Sequence, residues 1–170
     1  MKIGAKKEAN EDFPILGVGP KIVLIFTPFL IIFGLLNSIL SRYFIITTYY
    51  YWMVIIGLIL IIIGVLIFIY SEKLIKSAHT NSELVTSKIY AYIRHPMYAI
   101  WGLIMLPGLL CLFNSWFLFL LLPIYYTIVR YCIRKEETYL LSKFGEVYAH
   151  YKKNVNAFFP KFKKYKPKQK

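Results

Sequence analysis

Residues 97–129 read MYAIWGLIMLPGLLCLFNSWFLFLLLPIYYTIV, 33 positions without a charge. As one helix rising 1.5 Å per residue this run would be about 50 Å long, well beyond the roughly 30 Å of a bilayer's hydrocarbon. It must therefore fold back on itself. Asn114-Ser115 is the natural turn, because both side chains hydrogen-bond local backbone, and Trp116 beside them suits a membrane interface. The two arms, 97–113 and 116 to about 133, are short for spans and each carries a proline, Pro107 and Pro123. The sequence thus predicts a tight helical hairpin.

Working outward, residues 22–40 and 52–70 are each 19 positions without a charge. At helical rise each reaches roughly 28 Å, close to the hydrocarbon thickness. The composition, 58% hydrophobic and 17% charged over 170 residues, excludes a soluble domain, which at this size would expose much of its apolar surface to water. Glu8, Glu11 and Asp12 precede the first apolar run and no small-residue cleavage site follows it, so the first helix is expected to be kept rather than removed as a signal peptide. Lys and Arg number four in residues 1–21, one in 41–51, four in 71–96, none in the Asn114 turn and eleven in 134–170. Basic flanks stay on the cytoplasmic side. The expected fold is therefore an all-α polytopic transmembrane protein of about four spans, with a C-terminal hairpin and both termini cytoplasmic.

The net charge of +13 owes much to Lys161, Lys163, Lys164, Lys166, Lys168 and Lys170. On a membrane protein such a tail faces anionic lipid headgroups. No nucleic-acid motif accompanies it, and no nucleic-acid partner is expected. Cys111 and Cys132 lie in separate apolar segments and imply neither a disulfide framework nor a zinc site. His79, His95 and His150 lack a spacing that gathers a metal, there is no H-E-x-x-H or G-x-S-x-G, and Gly17-Val18-Gly19-Pro20 is no phosphate loop because no GK[ST] follows it. No metal is expected.

The chain changes character near residue 80. Residues 1–80 read as two scaffold helices, with Gly57 and Gly64 seven apart on one helical face for close packing. Residues 81–160 carry the specific polar groups, and 161–170 form a basic, flexible tail. Arg94-His95-Pro96 stands just before the hairpin and Arg130 with Arg134-Lys135-Glu136-Glu137 just after it, so the hairpin returns both clusters to one surface. Apolar residues at Leu140, Leu141, Phe144, Val147, Tyr148 and Tyr151 predict an amphipathic helix over 134–153, lying along the interface or folding over the clusters. Gly145 inside it costs about 1 kcal/mol relative to alanine, and Phe158-Phe159-Pro160 is expected to end the ordered part.

Pro96 disfavours helical geometry at His95 and suits the first helical position. Arg94 and His95 there can bind an anion at the positive end of the helix, or serve as a cytoplasmic anchor and an N-terminal cap. Glu136 and Glu137 read either as a solvated helix face with weak ion pairs or as carboxylates for a cationic ligand. Tyr90, Tyr92, Tyr98 and Trp101 offer stacking faces or interface anchors.

The stretch Leu84-Val85-Thr86-Ser87-Lys88-Ile89-Tyr90-Ala91-Tyr92-Ile93-Arg94-His95-Pro96-Met97-Tyr98 resembles the LVTxGxYxxxRHPxY signature of the isoprenylcysteine carboxyl methyltransferase family. Glu136-Glu137-Thr138-Tyr139-Leu140 and Phe144-Gly145-Glu146-Val147-Tyr148 with Tyr151 are similar to its EExxL and FGxxYxxY segments. The resemblance covers roughly residues 82–160, and phospholipid N-methyltransferases are similar in the same region. It implies methyl transfer from S-adenosylmethionine to a lipid-borne acceptor, foremost the carboxylate of a prenylated cysteine. Phospholipid N-methylation is the near alternative, and a non-catalytic membrane binding or assembly protein the distant one.

Carried over position by position, Leu84, Val85, Tyr90, Arg94, His95, Pro96, Met97 and Tyr98 would hold the cofactor from one side and Glu136 with Glu137 from the other. Glu136 and Arg134 would be the catalytic residues, and Arg130 with Arg134 would bind an anionic acceptor. Three positions depart from the family: Lys88 and Ile100 replace usual glycines, and Cys132 stands where an arginine is common, four residues before Glu136.

Overall fold

The apolar runs become helices because, away from water, a helix satisfies nearly all of their backbone hydrogen bonds internally. The computed structural model describes residues 17–80, 84–161 and 163–166; the basic positions of 1–16, residues 81–83 and the last four residues, which enter the topology and tail expectations, lie outside the described residues. Helix α1 is Gly19–Leu40, α2 is Tyr50–Thr80, α3 is Pro96–Cys111 and α4 is Leu121–Asn154. Among the described residues there is no strand, only isolated bridges pairing Ile45 with Ser115 and Ile93 with Asn156. The protein is an all-α polytopic membrane protein: three helices are long and apolar enough to cross a bilayer, and Pro96–Cys111 is a shorter apolar helix. Leu24 is 75% and Ile39 74% exposed within the chain, a surface that lipid accepts and water would not.

The hairpin forms where expected. Asn114 adopts a left-handed φ of 48°, which asparagine tolerates better than most residues, and Trp116–Leu120 leads into α4 as a 3-10 turn. Pro123 then falls in the first turn of α4, where its missing N–H costs nothing. Pro107 follows a π-turn at Trp101–Met105; that widened turn absorbs the hydrogen bond the proline cannot make. The α1–α2 loop is clasped to the hairpin turn: the Ile46 amide donates to the Asn114 carbonyl at 3.1 Å, and the Asn114 side chain donates to the Thr47 carbonyl at 2.7 Å. Loop 41–49 and the turn therefore share one end of the molecule.

Packing follows from small residues and from one stripe of each helix. A Cβ added at Gly57 would come 2.6 Å from the Gly108 carbonyl oxygen, so α2 and α3 meet backbone to backbone. Val18, Ile22 and Phe26 from the α1 end bury against Leu121, Tyr125, Val129, Cys132 and Ile133 of α4.

Two elements differ from expectation. Helix α2 continues to Thr80, well past the apolar run, where a Lys76–Glu72 pair at 2.7 Å supports a further turn. The amphipathic segment is no separate helix starting at 134. It continues the fourth span without a break until Gly145, whose φ of 51° and ψ of −131° interrupt the helix. Residues 146–155 fold over the polar clusters, and residues 156–161 and 163–165 run back along 91–95, with the Arg94 amide donating to the Asn156 carbonyl at 2.8 Å and the Tyr165 amide to the Ala91 carbonyl at 3.1 Å. The described chain thus remains bonded beyond Pro160.

Candidate active site

Pro96 opens α3 and leaves His95 at φ −121°, outside the helix, as the pre-proline restriction requires. The His95 side chain makes no capping bond; it turns inward and is 5% exposed. Its Nε2 stands 3.3 Å from Glu137 Oε1 and its Nδ1 3.6 Å from Glu136 Oε1. Arg94 Nη1 pairs with the same Glu137 oxygen at 2.6 Å, and Lys152 Nζ reaches Glu137 Oε2 at 2.9 Å. Glu137 is therefore enclosed by three basic side chains, while Glu136 is left facing Tyr98, whose hydroxyl donates to Glu136 Oε2 at 2.9 Å.

The charge-free part of α4 ends at Val129, so both glutamates lie about 10 Å past it at helical rise, outside the hydrocarbon. Burial opposes charge on all three central groups. For His95 it is outweighed by hydrogen bonds to Glu136 and Glu137, and the imidazole pKa rises above its usual 6.5. For Glu136 burial is outweighed by His95 and Tyr98, so the carboxyl titrates below its ordinary value. For Glu137 it is outweighed by His95, Lys152 and the Arg94 charge, which hold the carboxyl at about 2. A carboxylate before each ring nitrogen favours the protonated imidazole, which is the direction of the His95 shift.

A small pocket opens between these groups, lined by Gly17, Ile75, Tyr90, Arg94, His95, Pro96, Met97, Tyr98 and Glu136. Tyr90 is fixed by donating to the Ser71 carbonyl at 3.3 Å, while its own carbonyl accepts the Tyr151 hydroxyl at 2.5 Å. Next to the pocket runs an apolar groove of about 320 Å³ between α1, α2, α3 and α4, with Ile22, Phe26, Leu30, Phe68, Trp101 and Tyr125 on its walls. Met97 and Tyr98 belong to both spaces.

Of the residues expected from sequence, Tyr90, Arg94, His95, Pro96, Met97, Tyr98 and Glu136 come together on this pocket. Leu84 does not line it; it packs on the cluster of Tyr148, Tyr151 and Val155, and Val85 does not line it either. Glu137 sits behind the pocket, holding Arg94, His95 and Lys152. Arg130 and Arg134 are exposed and absent from both spaces. Two residues along an α-helix turn the side chain by about 200°, so an arginine at 134 faces away from a glutamate at 136. Cys132 is 1% exposed, wedged in the α1–α4 core. Lys88 keeps a left-handed φ of 54°, so the backbone shape of the glycine common there persists.

Gly17, Ile75 and Lys152 were not legible as site residues. Gly17 and Ile75 lie in the half read as scaffold, and a straight helix would set Lys152 about 22 Å along the axis from Glu137. Only the interruption at Gly145 brings Lys152 back to Glu137.

A buried histidine between two carboxylates, an arginine beside it and an apolar groove opening from the same wall define a membrane protein with a polar site at the edge of its spans. The chain belongs to the isoprenylcysteine carboxyl methyltransferase family, whose model matches residues 50–142. The match ends just before Gly145 in α4 and reaches back through α2, which the sequence resemblance did not include. The protein-S-isoprenylcysteine O-methyltransferase of Schizosaccharomyces pombe is 42% identical over 94 residues, covering 54% of this chain and 39% of the relative. The chain thus spans about two-fifths of that relative's length.

Proposed function

We propose that this protein is an integral membrane methyltransferase that uses S-adenosylmethionine to methylate the carboxylate of a prenylated cysteine or a similar isoprenoid acid. The observation that carries this reading is the junction at Met97 and Tyr98 between a charged pocket and an apolar groove. The pocket's chemistry fits the donor. Arg94 Nε is buried without a hydrogen-bond partner among the described residues, an unmet donor suited to an amino-acid carboxylate. Glu136 presents a carboxylate to an ammonium, and Tyr90 and Tyr98 give aromatic faces to a heterocycle. Bound there, S-adenosylmethionine supplies a methyl group whose bond to sulfur breaks as an acceptor oxygen bonds to the carbon, giving an ester and a thioether with no proton to move.

The chain's own residues orient and exclude water. Glu137 fixes Arg94 and His95; Tyr98 fixes Glu136. The groove takes the isoprenoid chain, each buried methylene contributing roughly 0.8 kcal/mol. Arg130 and Arg134, facing away from the pocket, serve at headgroup level beside the site, as anchors and as a first contact for an anionic acceptor. The family membership and the S. pombe relative, named for isoprenylcysteine O-methylation, favour the carboxylate over a phospholipid amine.

The test is transfer of labelled methyl by purified protein in lipid vesicles. Farnesylcysteine analogues are expected to yield a base-labile ester and unprenylated cysteine derivatives none. Glu136→Gln should weaken donor binding at least tenfold by calorimetry, whereas Glu146→Gln, on an exposed face, should leave it unchanged. Methylation of phosphatidylethanolamine with every prenylcysteine ignored would replace the carboxylate assignment by the phospholipid one.

A further inference from the structure

The turn at Gly17-Val18, just before α1, closes one side of the charged pocket, although it lies outside the segment that matches the family. The Val18 amide donates to the Tyr98 hydroxyl at 3.1 Å, and that hydroxyl donates to Glu136 Oε2 at 2.9 Å. Backbone, phenol and carboxylate form one chain of donors and acceptors. Gly17 has a left-handed φ of 56°, and a Cβ there would stand 2.6 Å from Tyr98 Oη and 2.9 Å from Glu136 Oε2. Any side chain at 17 is therefore excluded twice, by backbone conformation and by the wall it would strike. Val18 is 7% exposed and packed in the α1–α4 core, so the segment is anchored on its helical side. Across the pocket the Arg94 side chain is 8% exposed, and its Nε has no hydrogen-bond partner among the described residues. A zwitterionic ligand satisfying Arg94 at one end and Glu136 at the other meets Gly17 and Val18 at its cationic end.

We propose that Gly17 and Val18 are part of the donor site, a cover contributed by the scaffold half that holds Glu136 inward through Tyr98 and must lift for the donor to enter or leave. This rests on the donor reading of the pocket given above. Gly17 is required because the cover can close over Glu136 only where no Cβ intervenes, and Val18 because its amide keeps the Tyr98 hydroxyl aimed at the carboxylate. The cover acts on donor affinity.

Two measurements with S-adenosylhomocysteine on the full-length protein in detergent decide it. Amide exchange in the 17–26 peptide of the wild type should slow about fivefold or more on saturation, and Gly17→Ala should weaken the calorimetric affinity about tenfold or more. Gly34→Ala, where an added Cβ meets nothing within 4 Å, should match the wild type in affinity. If S-adenosylhomocysteine does not bind the wild type, the donor reading falls and the cover with it. If it binds while exchange at 17–26 and the affinity of Gly17→Ala both stay unchanged, the cover is wrong and the donor reading stands. Should Gly17→Ala fail to fold, exchange in the wild type settles the matter by itself: slowing supports the cover, and no slowing rejects it.

Discussion

Glu137 acts from behind the pocket wall. One oxygen faces Arg94 and His95 and the other faces Lys152, so three cations depend on one carboxylate that is 9% exposed. Removing it strands Arg94 in a buried site, a loss of about 3 kcal/mol or more. The linked titrations have opposite signs. The Glu137 pKa is depressed from 4.5 to about 2, so its contribution is full above 4.5 and is lost as pH falls toward 2. The His95 pKa is raised above 6.5, so its contribution is full below 6.5 and is lost as pH climbs through the folded value. Thermal midpoints in detergent at fixed scan rate should peak between about pH 5 and 6.5 and fall on both sides, and His95→Gln should flatten the alkaline fall and, by removing one of the groups that hold Glu137 low, soften the acid fall as well. A wild-type midpoint that rises steadily from pH 6 to 8 would show that His95 is neutral in the folded protein.

At the scale of the element, Gly145 reverses a sign. Judged from sequence it is a weak point in a helix, and alanine there would stabilise by about 1 kcal/mol. In the fold it has a φ of 51° and ψ of −131°, a combination open to glycine and strained for every other residue by about 1–3 kcal/mol. Beyond it Tyr151 reaches Tyr90 and Lys152 reaches Glu137. Gly145→Ala is therefore expected to lower the melting midpoint and weaken donor binding together; a higher midpoint would mean that the helix does not need this interruption. The same residue shows what could be read in advance. Charge-free runs, the Asn114 turn and the Pro96 helix start depend on local preferences, and all appear in the fold. Lys152 depends on which way a helix turns after a glycine, and Gly17 and Ile75 on how the first two helices dock against the others; an amphipathic period carries no information about either. The arginines at 130 and 134 lie off this pocket for a related reason: they are near the glutamates along the axis, and rotation about the axis turns them to another face.

For the whole molecule, the two ends differ in kind. One end is the clasp of Phe44, Ile46, Thr47 and Asn114, joined by Trp116 N–H to the Phe44 carbonyl at 3.0 Å and by Asn114 to Thr47, with Arg42 as the sole basic residue in loop 41–51. The other end carries the pocket, Lys152, Lys153 and, among the described residues after 160, Lys161, Lys163, Lys164 and Lys166. Positive residues are retained on the cytoplasmic side during insertion, and about 1 kcal/mol per charge from anionic headgroups adds to that bias. We propose that the clasp lies outside and the pocket on the cytoplasmic side, where a water-borne donor reaches it without crossing the bilayer. Single cysteines at Ile46→Cys and Phe113→Cys, both exposed sites, should react with a membrane-impermeant maleimide on intact cells. Lys153→Cys, exposed at the opposite end, should react only after the cells are opened, and the native Cys111 and Cys132, 7% and 1% exposed, should give little background. Because the clasp fixes loop 41–49 and the hairpin turn to one end, positions 46 and 113 must label together whichever way the protein inserts. Labelling of 153 alone on intact cells would invert the orientation while leaving the fold intact, and labelling of 46 without 113 would break the four-helix arrangement itself.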